Sequence, residues 1–185
     1  MMLTNIDAQS VVKKPLNIPK IEPETKKNSK SKSSFYIGVV LVLLLTIQYF
    51  YPIDIPELKT LQSNDLYKQI SGFLILGFVI MQWHLTHLRN TKQNTKIKKA
   101  FSSHQWLGIT APLLIFIHST ETGYGYQSAL LYSFIALVAV GLFNYQTFKI
   151  RKKWYINSWI TLHISLATIC LTLIFYHIYI TYTYT

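Results

Sequence analysis

Histidine is the residue type whose number and spacing in this sequence point most directly to chemistry. Six histidines occur in the 185 residues, and all lie within or beside apolar segments: His84, His87, His104, His118, His163 and His177. Ionisable side chains are costly inside a membrane, so histidines at such positions mark a candidate functional site. Four of them form two equally spaced pairs, because His104 and His118 are fourteen residues apart and so are His163 and His177.

A spacing of fourteen residues places two side chains on nearly the same face of an α-helix, roughly 21 Å apart along its axis. Two such helices, side by side and running in the same direction, offer two histidine pairs at different depths. Each pair can supply both axial ligands of a haem iron, for which neutral imidazole is well suited. The spacing therefore predicts one or two b-type haems, held by His104 with His163 and by His118 with His177. Zinc fits this pattern less well, because its ligand spacings are typically far shorter.

Small residues accompany the histidines on both segments. Gly108 and Ala111 lie on the first histidine-bearing segment, and Ala167 and Cys170 lie on the second. They leave room for a flat macrocycle between two helices, and close helix–helix packing explains them equally well. Cys170 is the only cysteine, and we expect it to be a small buried apolar residue rather than a ligand.

The histidines belong to apolar blocks long enough to cross a membrane, which requires roughly 18 or more residues. Five blocks reach or approach this length: Phe35–Tyr51, Ile70–Leu88, His104–Thr120, Ala129–Phe148 and Ile156–Ile180. We therefore predict an all-α transmembrane helix bundle of about five spans, with residues 35–182 forming the haem-binding bundle. A short amphipathic helix is expected near Glu57 to Lys68.

The positions of the charges predict an orientation in the membrane. The net charge is +11, and the basic residues concentrate in the first 34 residues, in 89–99 and in 149–153. The connections between these segments are neutral or acidic, and Lys/Arg-rich connections stay on the cytoplasmic side. The pattern predicts a multi-pass protein of the bacterial inner membrane or its equivalent, with the N-terminus inside and the C-terminus outside. It favours membrane lipid over nucleic acid as the contact of the basic residues.

The first 34 residues differ in composition from the rest. They are polar and Lys-rich and lack helical periodicity. Such a segment buries too little apolar surface to offset the entropy of folding. We predict that residues 1–34 form a disordered basic cytoplasmic tail.

Two of the histidine-bearing segments resemble those of a known family. His104–Gly108, with the sequence HQWLG, followed by IHS at 117–119, is similar to the third span of ferric reductase-like transmembrane domains. Trp159–His163, with the sequence WITLH, is similar to their fifth span. A span containing Gly141 and then a basic loop lies between them, as in that family. The resemblance covers about residues 70–180 and is one of spacing more than of residue identity.

The ferric reductase-like family includes ferric reductases, NADPH oxidases and the haem-bearing membrane subunit of a bacterial methionine sulfoxide reductase system. Its members pass electrons across a membrane through stacked haems. The resemblance implies haem ligation by His104, His118, His163 and His177. Many members also have a sixth span and a cytoplasmic flavin and NADPH domain, which these 185 residues lack. We therefore expect the electron-transfer subunit of a membrane oxidoreductase, exchanging electrons with a flavoprotein, a quinol or another redox subunit.

Several alternatives stay open at this point. His84 and His87, together with Lys99 and Arg151, are candidate contacts for haem propionates or a quinone, and either histidine is also a rival ligand for the inner iron. A haem-free accessory or metal-handling subunit, with its histidines as hydrogen-bonded bundle residues, is the main alternative function. Ascorbate-type and quinol-oxidising di-haem cytochromes also use histidine pairs, but ligands on the third and fifth spans favour the ferric reductase-like pattern. We assign no catalytic acid, base or nucleophile.

Overall fold

Six α-helices make up most of the part of the chain that the structure describes. The structure is a computed structural model, and it describes residues 25–91, 94–145 and 147–184. The helices are α1 (Thr25–Phe50), α2 (Pro56–Ser63), α3 (Asp65–Asn90), α4 (Asn94–His118), α5 (Tyr126–Leu142) and α6 (Lys153–Tyr184). No strand occurs in these described ranges, so the all-α prediction is confirmed.

Four of the helices, α1, α3, α4 and α6, are long and apolar enough to cross a membrane. The fifth, α5, is apolar and has 17 residues. At 1.5 Å per residue it spans roughly 26 Å, close to the ~30 Å of a hydrocarbon core. Leu44, Leu74 and Ile164 project outward and are exposed by 57%, 69% and 57% of their surface, as expected of side chains that face lipid. The chain is a multi-pass membrane protein, and its helices agree with a bundle of about five spans.

The first helix begins earlier than the predicted span. It starts at Thr25 rather than near Phe35, so residues 25–34, which we expected to be disordered, are helical. Lysine is a good helix former, and a polar extension of an apolar helix needs no burial of its own. Residues 1–24 of the predicted tail lie outside the described residues.

The short helix predicted near Glu57 to Lys68 is divided into two elements. Its first part is α2, and its last residues begin α3, which starts five residues before the span predicted from Ile70. The division occurs at Asn64, whose side-chain Oδ1 accepts a hydrogen bond from the Tyr67 N–H at 3.1 Å. This N-cap satisfies one of the free donors at the start of α3, and Asp65 follows it in the first turn, where a negative charge is favourable.

Side chains from α2 and α3 hold the C-terminal end of α4. The Gln62 amide nitrogen donates to the carbonyls of Phe116 and Ile117, each at 3.0 Å. The Tyr67 hydroxyl donates to the Ile117 carbonyl at 2.9 Å. A helix leaves its last four carbonyls without internal partners, and these bonds satisfy two of them. They also fix the position of His118, the last residue of α4.

The fourth predicted span, Ala129–Phe148, is displaced towards the N-terminus in the structure. The helix α5 begins at Tyr126 and ends at Leu142. Beyond it the chain turns, because the Thr147 N–H and hydroxyl both donate to Asn144 Oδ1, at 2.9 and 3.1 Å. Asparagine stabilises turns through such local side-chain bonds. The last predicted residues of this span therefore belong to a connection rather than to the helix.

In the packed bundle, the two helices that carry the paired histidines, α4 and α6, are not packed against each other in the described ranges. Within the described ranges, α3 packs against α4, α5 packs against α6, and α1 contacts both α4 and α5. Gly38 of α1 allows this approach, because a side chain there would collide with Leu142 and press against Ile109. Cys170 on α6 is buried, as predicted. The helices α4 and α6 do not pack backbone against backbone along their lengths, so side chains must bridge the space between them.

Candidate functional site

Histidines from α4 and α6 come into direct ring contact at one level of the bundle. The ring centroids of His104 and His163 are 6.1 Å apart, with their planes at 77°. His118 and His177 lie fourteen residues further along the same two helices, His118 beside Ser71 and His177 against Tyr126. Because the two pairs follow in the same order along both helices, α4 and α6 run in the same direction. We name them the 104/163 pair and the 118/177 pair.

The 104/163 pair is held on its α6 side by a stacked tryptophan. Trp159 precedes His163 by one helical turn, and the two rings stack at 5.5 Å and 11°. The Trp159 Nε1–H donates to the Val140 carbonyl of α5 at 2.7 Å. The neighbouring Gly141 gives the imidazole room, since a Cβ there would lie 3.3 Å from His163 Cε1. The helix α5 thus fixes both rings through one hydrogen bond and one small residue.

On its α4 side, the 104/163 pair is held by an amide from α3. With the Gln82 amide oriented to complement its neighbours, its nitrogen donates to His104 Nδ1 at 2.6 Å and its oxygen accepts from the Gly108 N–H at 3.1 Å. This orientation is assigned from the hydrogen-bond network. In this orientation His104 Nδ1 accepts, so the proton of the neutral imidazole is on Nε2. Ligation of a metal through His104 Nε2 would require the Gln82 amide to turn and present its oxygen to Nδ1–H.

At the 118/177 pair, a hydroxyl from α3 lies beside the α4 histidine, where the 104/163 pair has the Gln82 amide. Ser71 Oγ lies 2.8 Å from His118 Nδ1. The Ser71 hydroxyl donates its own proton to the Tyr67 carbonyl, at 2.7 Å. The Lys68 carbonyl is a second acceptor within reach of this hydroxyl, at 3.2 Å, and the roles of Ser71 and His118 in their contact depend on the tautomer of the imidazole. When Ser71 donates to a carbonyl of its own helix, its oxygen accepts from His118 Nδ1–H, and Nε2 then has the free lone pair that binds a metal.

Two of the four imidazoles have a buried nitrogen without a hydrogen bond. His163 Nδ1 and His177 Nδ1 are both buried and have no hydrogen-bond partner among the residues that the structure describes. The ring of His177 lies against Tyr126, with centroids 6.0 Å apart. A buried polar atom without a partner is costly in apolar surroundings. The bundle therefore leaves one buried nitrogen of each α6 histidine without a partner among the described residues.

The 104/163 pair suits one shared metal ion. A metal about 2 Å from one nitrogen of each imidazole separates the two ring centroids by roughly 6 Å, and the observed separation is 6.1 Å. Among the described residues, no group of three or more His, Cys, Asp or Glu side chains could hold a metal ion, so a four-ligand zinc site is not formed there. A haem iron needs only two axial protein ligands, because the macrocycle occupies its other positions. The centroid separation of the 104/163 pair fits that requirement.

The remaining candidate residues divide into two groups. His84 and His87 line a groove of about 460 Å³ between α3 and α4, which His104 also lines. Lys99 and Arg151 are exposed, and neither lines this groove. The structure thus brings the two α3 histidines into one groove with His104, and the two cations do not line that groove.

Three polar or aromatic side chains at the site were given no role in the sequence-based predictions. Trp159 was named only as part of the WITLH segment, although its spacing of four residues from His163 puts both on one helix face. Ser71 and Gln82 are polar residues inside an apolar span, which is itself a signal of function. Their partners on α4 become evident only once α3 is packed against that helix.

The chain matches no family model, no curated protein and no solved structure. The similarity to ferric reductase-like domains therefore rests on the two histidine-bearing segments, and the functional assignment rests on the geometry of the two histidine pairs.

Proposed function

We propose that this protein is a b-type cytochrome subunit of the ferric reductase-like kind, which relays electrons across a membrane through haem held by bis-histidine ligation. His104 and His163 would ligate one haem and His118 and His177 the other. The membrane would be the bacterial inner membrane or its equivalent, with the N-terminus inside, as the alternation of basic connections indicates.

One observation carries the proposal. Two parallel helices that do not pack closely against each other direct imidazoles across the space between them at 6.1 Å. The same helices repeat the pairing fourteen residues later, roughly 21 Å further along the axis. A histidine that only stabilises a bundle has no need of a partner histidine or of a second pair in register.

The chain's own residues would ligate the haem iron, orient the ligating rings and surround the haem with apolar side chains. A bound b-type haem takes up and releases single electrons, and its potential depends on the ligands and on the polarity around them. Ser71 would orient His118 through Nδ1, and Trp159 and Gly141 would orient the ring of His163. The apolar helices keep the surroundings low in dielectric. Electrons would enter from a flavoprotein, a quinol or another subunit at one end and leave to an acceptor at the other.

The test is the absorption of the full-length protein, purified in detergent from cells supplied with haem. We expect the reduced-minus-oxidised spectrum of a b-type cytochrome. The His163→Ala/His177→Ala double variant should lack it, because each pair loses its α6 ligand. Thr168→Ala is the matched control on α6, since its hydroxyl bonds only to the Ile164 carbonyl of its own helix.

A colourless wild-type protein that elutes as a single folded species would refute the proposal and favour the haem-free accessory or metal-handling subunit. Retention of the full spectrum in the double variant would show that other residues ligate the iron.

A further inference from the structure

The groove between α3 and α4 is separate from the space between the paired histidines. All of its lining residues belong to α3 or α4, among them His84 and His87 on α3 and Ser103, His104 and Leu107 on α4. His163, on α6, does not line it. The groove therefore touches the proposed iron ligand His104 from the side of α3.

The groove opens towards lipid. Ile80, Met81 and Trp83 are exposed by 61%, 60% and 41%, and in a membrane protein such surfaces at a helical span face the bilayer. Leu85, by contrast, is buried, with 6% of its surface exposed. A ligand can thus enter from the bilayer and keep an apolar tail in it. The volume of about 460 Å³ lies within the ~300–1,000 Å³ of typical small-molecule sites.

Polar groups stand on both walls of this apolar groove. His84 and His87 come from α3, and Ser103 comes from α4. Imidazole and hydroxyl groups can each donate or accept a hydrogen bond. Such a pair of walls suits a flat ring with oxygen atoms on opposite edges, whether those oxygens are carbonyls or hydroxyls.

From this arrangement we propose that the groove is a binding site for a membrane-dissolved quinone, with His84 and His87 bonding one ring oxygen and Ser103 the other. A quinone has the apolar tail, the flat ring and the two opposed oxygens that the groove accommodates. An anionic phospholipid is the rival occupant, but its headgroup favours Lys or Arg, and no described lining residue is Lys or Arg. A redox role for the bound quinone rests on the proposed function, whereas its binding does not.

Photolabelling of the full-length protein in phosphatidylcholine nanodiscs tests the site. The probe is a photoreactive azido-ubiquinone, and decylubiquinone is the competitor. We expect mass spectrometry to find the label within residues 80–87 and 100–107, and decylubiquinone to displace it. Haem content is measured on the same samples by the reduced-minus-oxidised spectrum.

Substitutions in the groove should weaken binding while leaving haem content unchanged. His84→Leu, His87→Leu and Ser103→Ala should each raise the Kd of decylubiquinone about fivefold, the usual effect of losing one hydrogen bond. Leu107→Trp fills the groove without removing a polar group, and it should abolish labelling. Thr86→Leu and Ser102→Ala are the matched controls, because each is adjacent to a lining residue but does not line the groove.

Label outside these two segments, or an unchanged Kd in the groove variants, overturns the proposal. So does displacement of the probe by phosphatidylglycerol but not by decylubiquinone, which identifies a lipid site. Loss of haem from His84→Leu or His87→Leu also overturns it, because that result assigns these residues to the haem. A colourless protein that still binds decylubiquinone in the groove supports this site and refutes only the haem relay.

Discussion

The 104/163 pair and the 118/177 pair use the same residue type on the same two helices, yet their surroundings differ. The imidazoles of the first pair are in ring contact, whereas the second pair has His177 against Tyr126. The first pair has an amide beside it, from Gln82, and the second has a hydroxyl, from Ser71. The two pairs therefore differ both in ring contact and in the polar group that meets the α4 histidine.

This difference shows that equal spacing along a helix does not make two ligand sites equivalent. The Gln82 amide is satisfied in one orientation, in which its nitrogen donates to His104, whereas the Ser71 hydroxyl can donate to His118 or accept from it. A hydrogen bond to the distal nitrogen of a ligating histidine tunes its basicity and, through it, the metal. We expect two haems in this bundle to differ in potential and in their sensitivity to substitution.

The largest expected effect comes from removing one ligand of one pair. His104→Ala should eliminate the haem of the 104/163 pair and spare the other, and His118→Ala should do the converse. Each variant should retain about half of the haem per protein, because a haem with one axial ligand removed is poorly held. Quantification of extracted haem against protein concentration measures this.

If one variant loses all the haem and the other loses none, the bundle holds a single haem, and only one of the two histidine pairs binds it. If His118→Ala leaves both haem content and spectrum unchanged, the 118/177 pairing is wrong.

An intermediate effect is expected from crowding His163. A valine at position 141 places its Cβ 3.3 Å from His163 Cε1, and its methyl groups come closer still. Such overpacking typically costs ~1–3 kcal/mol. Gly141→Val should therefore reduce haem only at the 104/163 pair, as measured by the low-temperature spectrum of each haem. Gly77→Val is the matched control, because a side chain there meets nothing within 4 Å. Equal losses in both variants would contradict the contact between Gly141 and His163.

The smallest expected effect is a shift in potential at the 118/177 pair. Ser71→Ala removes the acceptor for the His118 Nδ1 proton, which lowers the basicity of the imidazole and disfavours ferric iron. Loss of about 1 kcal/mol corresponds to a rise of about 40 mV in the midpoint potential of that haem. Potentiometric titration followed by absorption measures it, and Ser71→Thr should restore the original value. A shift in the midpoint potential of the 104/163 haem instead would show that the two haem signals are assigned to the wrong histidine pairs.

The limits of the predicted spans show where local sequence is informative. Apolar blocks identify the helices, because burial in lipid depends on the composition of the segment itself. Their ends depend on particular side chains: Asn64 starts α3 before Ile70, and Asn144 forms the turn after α5. Both are local hydrogen-bonding effects that a count of apolar residues does not register.

The sequence by itself determined which residue type forms the site and how the four histidines are spaced along their helices. The spacing of His104 from His118, and of His163 from His177, follows from helical periodicity alone, since 3.6 residues per turn brings each pair to one face. Only the tertiary structure decided which faces meet. The contacts of Ser71 and Gln82 with α4, the support of His163 by α5 and the separation of α4 from α6 depend on packing between segments distant in the sequence, which no local pattern specifies.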